Sequence, residues 1–307
     1  MKPLSEDFAC RVFNQFQLNV HASEDLHAVF LDRVVQEVSK TLNLAKDVEL
    51  RDAPQSIHAI RVSFKHLRAY WQLISPALSK KELKAANQRM RGAAKRLAQH
   101  RDLQVMLESL QQIEAIMAEQ VLSPSEQAYL QSVKIDFEVE IAKQSELLPA
   151  IDWSSVEQAL EQELAAWLTL PAEADFLDVL HQGFKQTLFN CHGCALRAIA
   201  VGASSEDRHE WRKWVKYGYY QLKLLMSLGS EKGKKVARKL DQLGNLLGKE
   251  HDFELLYLYL KSLKKRFKKA DTEEKASHKA LQQFTKKRLA HLKKQVNYLH
   301  SELLKSW

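Results

Sequence analysis

Glycine, proline and cysteine are scarce in this sequence, and each shortage narrows the possible structures. The 307 residues include 9 Gly and 6 Pro, and this composition favours helices over a turn-rich β-fold. The 3 Cys are an odd number, so no disulfide framework is indicated. No apolar run is long enough to span a membrane. We therefore expect an all-α protein that does not bind membranes.

Two of the cysteines, Cys191 and Cys194, have the spacing of a redox motif or of half a metal site. A second Cys/His pair at a suitable spacing is missing, and no strand pattern precedes the motif. Free cysteines commonly pack as small apolar residues. We expect both cysteines to be buried in a helix, and we expect neither a metal nor a cofactor, although a redox or metal role stays open.

Negative charge is scarce in both end regions of the sequence and concentrated in its middle. Residues 1–100 contain 16 Lys and Arg against 10 Asp and Glu, whereas residues 101–200 contain 5 against 16. Residues 209–307 contain 24 against 10, and the net charge is +8. Such segregation predicts an anionic partner that contacts only part of the surface.

The most informative segment begins at His58 and reads as a helix. Apolar residues recur at helical spacing and form one stripe: Ile60, Phe64, Leu67, Trp71 and Ile74. Basic residues recur at the same spacing, rotated by about 100°: His58, Arg61, Lys65 and Arg68. A basic row beside a buried stripe indicates the edge of a groove or cavity. Because Arg bridges phosphate oxygens and Lys adds a mobile charge, the row suits a run of phosphates.

The same pattern returns in a second predicted helix. Three basic positions align at one offset: His58 with His209, Arg61 with Arg212, and Lys65 with Lys216. The apolar stripe aligns in the same register, and a pair that ends in Asp follows each copy: Arg101-Asp102 and His251-Asp252. One row alone could be a solvated basic face. Its recurrence in register indicates an internal duplication instead.

These residues resemble the CHAD family, the conserved histidine α-helical domain. Its signature is a helix that opens with His, then has Arg three residues on and further Lys or Arg, with an Arg-Asp or His-Asp pair downstream. The resemblance spans about residue 23 to the C-terminus. It implies two duplicated antiparallel helical bundles with pseudo-two-fold symmetry around a basic cavity that binds inorganic polyphosphate. The second copy departs from the pattern at Tyr217, Gly218 and Tyr219, where a basic, an apolar and a basic residue are usual.

The rows and the resemblance together imply a set of polyphosphate-binding residues. From the first copy these are His58, Arg61, Lys65, Arg68, Arg91, Lys95, Arg96 and Arg101. From the second they are His209, Arg212, Lys213, Lys216 and His251. Asp102 and Asp252 are expected to orient a His or Arg through charged hydrogen bonds, with general acid–base catalysis as the alternative. No catalytic constellation is predicted, and metal binding by His58 and His209 is a lesser alternative.

Two further features allow two interpretations each. The Lys-rich region 261–294 is either ordinary surface or an extension of the anion-binding surface. Tyr217, Tyr219 and Tyr220 are either core and rim aromatics or a platform on which nucleic-acid bases stack.

The spacing also predicts the organisation of the chain. One domain, 1–307, is expected to contain repeats at about 23–150 and 172–307, joined by a helical connector at 151–171. We call the helices that contain His58 and His209 the first and the second His-led helix. Ser56 is predicted to cap the first of them. One long helix, kinked near Arg101, is predicted from Ser79 to Glu119.

We expect a protein that binds inorganic polyphosphate or another polyanion without catalysis, as a monomer or homodimer, for storage, granule targeting or regulation. The alternatives are a sequence-independent nucleic-acid-binding protein and a phosphate-polymer-processing enzyme or its accessory subunit. Residues 1–8 lack the basic and then apolar build of a signal peptide, so a cytoplasmic location, in association with polyphosphate granules, is expected.

Overall fold

Helices account for all the long elements in the described part of the chain. The computed structural model describes residues 25–97, 101–118, 122–147, 150–171, 175–229, 233–263 and 272–305. In chain order the helices are α1 (Leu26–Lys46), α2 (Pro54–Leu73), α3 (Lys80–Arg96), α4 (Arg101–Ala118), α5 (Pro124–Leu147), α6 (Trp153–Leu168), α7 (Phe176–Ile199), α8 (Ser205–Ser227), α9 (Lys234–Ser262) and α10 (Thr272–Lys305). With no strand in these residues, the predicted all-α fold class is confirmed.

The helices are distributed over two compact units. The first unit contains α1, α2, α3, α6, α7, α8, the start of α9 up to Gly244 and the end of α10 from His300. The second contains α4, α5, α9 from Asn245 and α10 up to Leu299. Both His-led helices, α2 and α8, therefore belong to the first unit.

The first His-led helix, α2, is the centre of the first unit, where it packs against α1, α3, α7 and α8. Its predicted apolar stripe is buried, since even Trp71 is only 4% exposed and the other stripe residues are fully buried. The equivalent stripe of α8 is buried as well: Trp211, Val215, Leu222 and Leu225. Burial of these side chains is the main stabilising contribution of both helices.

The predicted start of the first His-led helix is wrong. Helix α2 begins at Pro54, with Ala53 as its N-cap and no side-chain cap, rather than after Ser56. The fixed φ of proline suits the first helical position, where no N–H is needed. The Ala53 carbonyl accepts hydrogen bonds from the N–H groups of Ser56 and Ile57 at 2.9 and 3.0 Å.

The predicted long helix from Ser79 to Glu119 is also wrong, because two helices, α3 and α4, occupy this span. Helix α3 ends at Arg96 with Leu97 as its C-cap. Residues 98–100 lie outside the described part of the chain. The segment contains neither glycine nor proline near Leu97, so no local sequence signal marks this end.

Helices α2 and α7 approach each other closely at a glycine. A Cβ at Gly183 of α7 would lie 1.6 Å from the carbonyl oxygen of Leu73, at the end of α2. Any side chain at this position would collide with backbone. Gly183 therefore fixes how closely α7 approaches α2.

The second unit has its own apolar core. Its buried members include Leu110 and Ile113 of α4, Phe137 of α5, Leu256 of α9 and Leu281 of α10. All four of its helices thus contribute side chains to one cluster, as expected for a helical bundle.

Candidate anion-binding site

The two His-led helices lie side by side in the first unit. The buried amide of Gln221, on α8, donates a hydrogen bond to the Ala69 carbonyl of α2 at 2.9 Å. The His66 ring packs edge-on against Tyr220, with centroids 4.3 Å apart. Because each contact joins a residue next to one basic row with a residue of the other helix, the two rows are held on adjoining helices.

The first row combines exposed and anchored side chains. His58 and Lys65 are exposed, whereas Arg61 and Arg68 are partly buried. Arg61 Nη1 donates a 2.7 Å hydrogen bond to the carbonyl of Leu97, the C-cap of α3. This contact gives a partner to a carbonyl at a helix end.

Arg68 links three helices around Tyr217. Its Nε lies 3.3 Å from the Asn87 side-chain oxygen of α3, and its guanidinium lies 5.7 Å from the ring centroid of Tyr217 on α8. Burial raises the pKa of Tyr217, while the positive charges of Arg68 and Arg91 act to lower it. Cations from α2 and α3 therefore converge on one aromatic residue of α8.

Lys213 adds a cation on the same side of α8. Its ammonium lies 5.2 Å from the Trp214 ring centroid and forms an ion pair with Glu210. Glu210 also contributes to the electrostatic environment of Tyr217. Lys213 thus belongs to the same cationic region as Arg68, although part of its charge is balanced within α8.

The second row is more enclosed at its lysine than the first. His209 is exposed, whereas Arg212 and Lys216 are partly buried. Lys216 Nζ lies 3.6 Å from Asp241 Oδ1 of α9 and 5.6 Å from the Tyr219 ring centroid. Burial lowers the pKa of Lys216, against the opposing effect of Asp241. The same Tyr219 ring has a second lysine beside it, since the ammonium of Lys223 lies 5.9 Å from its centroid.

Not every predicted cation of α3 lies with the rows. Arg91 and Lys95 are exposed, and their spacing of four residues puts them on one face of the helix. Arg96 instead lies toward α6, with Nε 3.8 Å from an Asp152 oxygen. Arg89 lies on that side too, where it donates hydrogen bonds of 3.2 and 3.0 Å to buried Glu163. The structure therefore separates Arg96 from Arg91 and Lys95.

Several predicted residues belong to the second unit or lie outside the described residues. Arg101 and Asp102 begin α4, and their side chains lie outside the described residues. His251 and Asp252 are partly buried residues of the second unit. Residues 264–271 of the Lys-rich region also lie outside the described residues. The assignment of these residues to a polyphosphate site stays a prediction.

The three tyrosines of α8 and the two cysteines of α7 are mostly buried. Tyr217 and Tyr220 are buried at 6% and 8% exposure, and only Tyr219 of the three is partly exposed. Cys191 and Cys194 are buried free thiols in α7, as expected. Burial raises the pKa of Cys191 to about 12, which disfavours the reactive thiolate form.

Sequence reasoning missed the residues that hold the rows in place. Asn87 orients Arg68, and Glu37 of α1 lies 2.9 Å from His66 Nδ1. This His66 contact is the main cause that lowers the pKa of Glu37. Asp241 and Gly244 both contact Lys216. None belongs to a recurring basic or apolar pattern, so only the folded contacts identify them.

Two chemical properties of the described residues bear on the class of site. No group of three or more His, Cys, Asp and Glu side chains within them is arranged to hold a metal ion. None of the helices they form is both long and apolar enough to cross a bilayer.

The fold and the paired rows define a helical domain built around two adjoining His-led helices. The model of the family described as the CHAD domain matches residues 34–261, and the chain belongs to this family. The crystal structure of the CHAD domain from the plant Ricinus communis is similar, with a TM-score of 0.55, 16% identity, and coverage of 91% of this chain and 90% of that chain. At this identity the likeness supports the fold alone. The curated proteins include no significant match.

Proposed function

We propose that this protein binds inorganic polyphosphate, without catalysis, along the basic rows of α2 and α8. The observation that carries the proposal is the packing of the two rows on adjoining helices. Residues three or four apart on a helix are about 5–6 Å from each other at Cβ, so each row offers closely spaced cations to a linear polyanion. The choice of polyphosphate over other polyanions comes from the resemblance to the family.

The exposed cations are the best test of direct binding. Lys65→Gln removes an exposed charge from the first row, and we expect it to weaken polyphosphate binding several-fold. A plot of log affinity against log salt concentration should also become less steep, by a slope of about one, the value for one lost phosphate contact. Lys46→Gln is the matched control, because Lys46 is also exposed, lies in α1 and pairs with Glu161 of α6. Equal affinities and salt slopes for both variants would exclude the first row as the binding surface.

Nucleic-acid binding is the second candidate, and one observation favours it. Tyr219 is partly exposed between two lysine ammoniums, Lys216 and Lys223, and an aromatic ring beside cations can stack on a base. Competition at matched salt between polyphosphate and single-stranded DNA of equal charge separates the candidates. Preferential displacement by DNA, and loss of that preference in Tyr219→Leu, would favour nucleic acid.

A phosphate-processing activity needs its own test. Polyphosphate incubated with the protein, with and without divalent cations, should release no orthophosphate beyond the protein-free control. A release that depends on protein concentration would replace the binding proposal with an enzymatic one. Binding alone fits the proposed roles in storage, granule targeting or regulation.

A further inference from the structure

The two basic rows differ in the charge that the next helix places beside them. In the second row the ammonium of Lys216 lies 3.6 Å from Asp241. The lysine side chain is 20% exposed and that of Asp241 is 39% exposed. Lys65, which corresponds to Lys216 in the first row, is exposed. In the second row the Asp241 carboxylate therefore already occupies a place beside Lys216 that a bound phosphate would need.

The burial pattern aligns this carboxylate with a cation of the first copy. Buried positions of α3 and α9 match at the offset that relates Leu97 to Leu247: Met90 with Leu240 and Ala93 with Leu243. In this register Asp241 corresponds to Arg91. One copy thus presents an exposed guanidinium where the other presents a carboxylate paired to its own row.

A glycine shapes the place where the lysine rests. A Cβ on Gly244 would lie 2.8 Å from Lys216 Cε and 3.0 Å from its Cδ. The lysine side chain therefore lies across the bare backbone of α9, one helical turn after Asp241. The Tyr219 ring, 5.6 Å from the ammonium, gives the lysine a third contact. Three neighbours thus favour the resting position of Lys216 over one that reaches into solvent.

We infer that Asp241 is an internal competitor for the anion, which holds Lys216 in an ion pair and lowers the affinity of the second row for polyphosphate. This inference rests on the proposed function and concerns the regulation of the same site. A phosphate that contacts Lys216 must share or displace the Asp241 carboxylate, and it meets carboxylate repulsion as it does so. The affinity of the second row is consequently lower than its own cations alone would give.

The test compares wild-type protein with two variants by titration with polyphosphate at low and constant salt. Asp241→Asn keeps the shape and removes the charge, and it should raise affinity about two- to fivefold, the range expected for a partly exposed ion pair. Glu161→Gln is the charge-matched control, because it also removes one carboxylate from an ion pair, that of Glu161 on α6 with Lys46 on α1. It should leave the affinity at the wild-type value. Circular dichroism establishes that all variants remain helical.

A second background shows whether the effect acts through the lysine. In Lys216→Gln protein the further change Asp241→Asn should have at most the effect of Glu161→Gln, because no ion pair is left to release. Gly244→Ala provides a charge-neutral variant, since its methyl group displaces the Lys216 side chain from its resting place. It should raise affinity in the same direction as Asp241→Asn.

The outcomes separate this inference from the proposed function. If wild-type protein shows no binding to polyphosphate, the proposed function itself fails. If wild-type protein binds but Asp241→Asn matches Glu161→Gln, the competitor role of Asp241 is overturned and the binding proposal stands. A gain from Asp241→Asn that persists undiminished without Lys216 would likewise overturn it, because the gain would then be a general effect of net charge.

Discussion

At the scale of single residues, the Arg61 side chain has two roles, one structural and one in the predicted binding row. It is a member of the predicted binding row, and it also donates a hydrogen bond to the Leu97 carbonyl at the end of α3. A guanidinium can do both, because its five N–H donors point in several directions. A lysine has a more compact charge and cannot form the same fixed fork. The arginine at this position is therefore expected to matter for folding as well as for binding.

Substitution of Arg61 should cost stability as well as affinity. We expect Arg61→Ala to lower the free energy of unfolding by about 1–3 kcal/mol, the range for a lost hydrogen bond to a charged group. Lys65→Ala, on the exposed side of the same row, should lower it by less than about 0.5 kcal/mol. Urea denaturation of both variants gives the comparison. Equal losses would show that the Leu97 contact does not stabilise the protein.

Because His300 is buried, we expect the folded protein to lose stability in mild acid. This residue is 4% exposed, packs edge-on against Trp211, and stacks with His192 at 5.8 Å. Burial lowers its pKa from 6.5 to about 4. Because the unfolded chain takes up the proton first, stability should be unaffected above about pH 6.5 and fall progressively toward pH 4, by on the order of 3 kcal/mol.

The measurement is urea denaturation of wild-type and His300→Gln protein at pH 7.5, 5.5 and 4.5. The variant is expected to be less stable at pH 7.5 and to lose less stability between pH 7.5 and 4.5. Parallel pH profiles for the two proteins would mean that His300 does not titrate in this range. His192, whose pKa burial also lowers, is expected to account for part of the remaining slope.

At the scale of elements, local periodicity predicted what lies inside the helices better than where they end. The stripe that contains Phe64 and Trp71 is buried as expected, because burial follows directly from which face of a helix is apolar. The end of α3 was missed, because the local sequence carries no stop signal and the Arg61 hydrogen bond to the Leu97 carbonyl is visible only in the folded chain. Asp241 was missed for the same reason, since only tertiary contact with Lys216 distinguishes it.

The packing of α7 on α2 should be very sensitive to a single methyl group. In Gly183→Ala the new Cβ would lie 1.6 Å from the Leu73 carbonyl oxygen, so the helices must separate. We expect a loss of more than about 3 kcal/mol in the free energy of unfolding, at the severe end for single substitutions. Gly92→Ala is the control, because its nearest neighbour is an Arg96 side-chain atom at 3.8 Å.

The control should be neutral or stabilising by up to about 1 kcal/mol, because alanine is the better helix former. Thermal unfolding followed by circular dichroism measures both variants. If Gly183→Ala and Gly92→Ala have similar melting temperatures, the close approach of α7 to α2 is not a constraint on the fold.

At the scale of the whole molecule, the compact units do not follow the order of the predicted repeats. The His-led helix of each copy lies in the first unit, while α4 and α5 of the first copy lie in the second unit with much of α9 and α10. Sequence periodicity predicted the helices and the correspondence of the rows, but it carries no information on which helices pack together. The packing of α2 on α8 is thus a property that only the folded chain shows, and it supports the proposal that one polymer contacts both rows.

We propose that the two rows bind one polyphosphate chain. The most direct measurement is the affinity of wild-type, Lys65→Gln and Lys216→Gln protein for a ladder of phosphate polymers, from orthophosphate to long chains, by calorimetric titration at constant salt. Because a second contact on one polymer is intramolecular, affinity per molecule should rise steeply with length until both rows are spanned and then level off. Either substitution should weaken long chains far more than orthophosphate. Affinity that does not depend on length, or equal losses for short and long anions, would contradict a shared site.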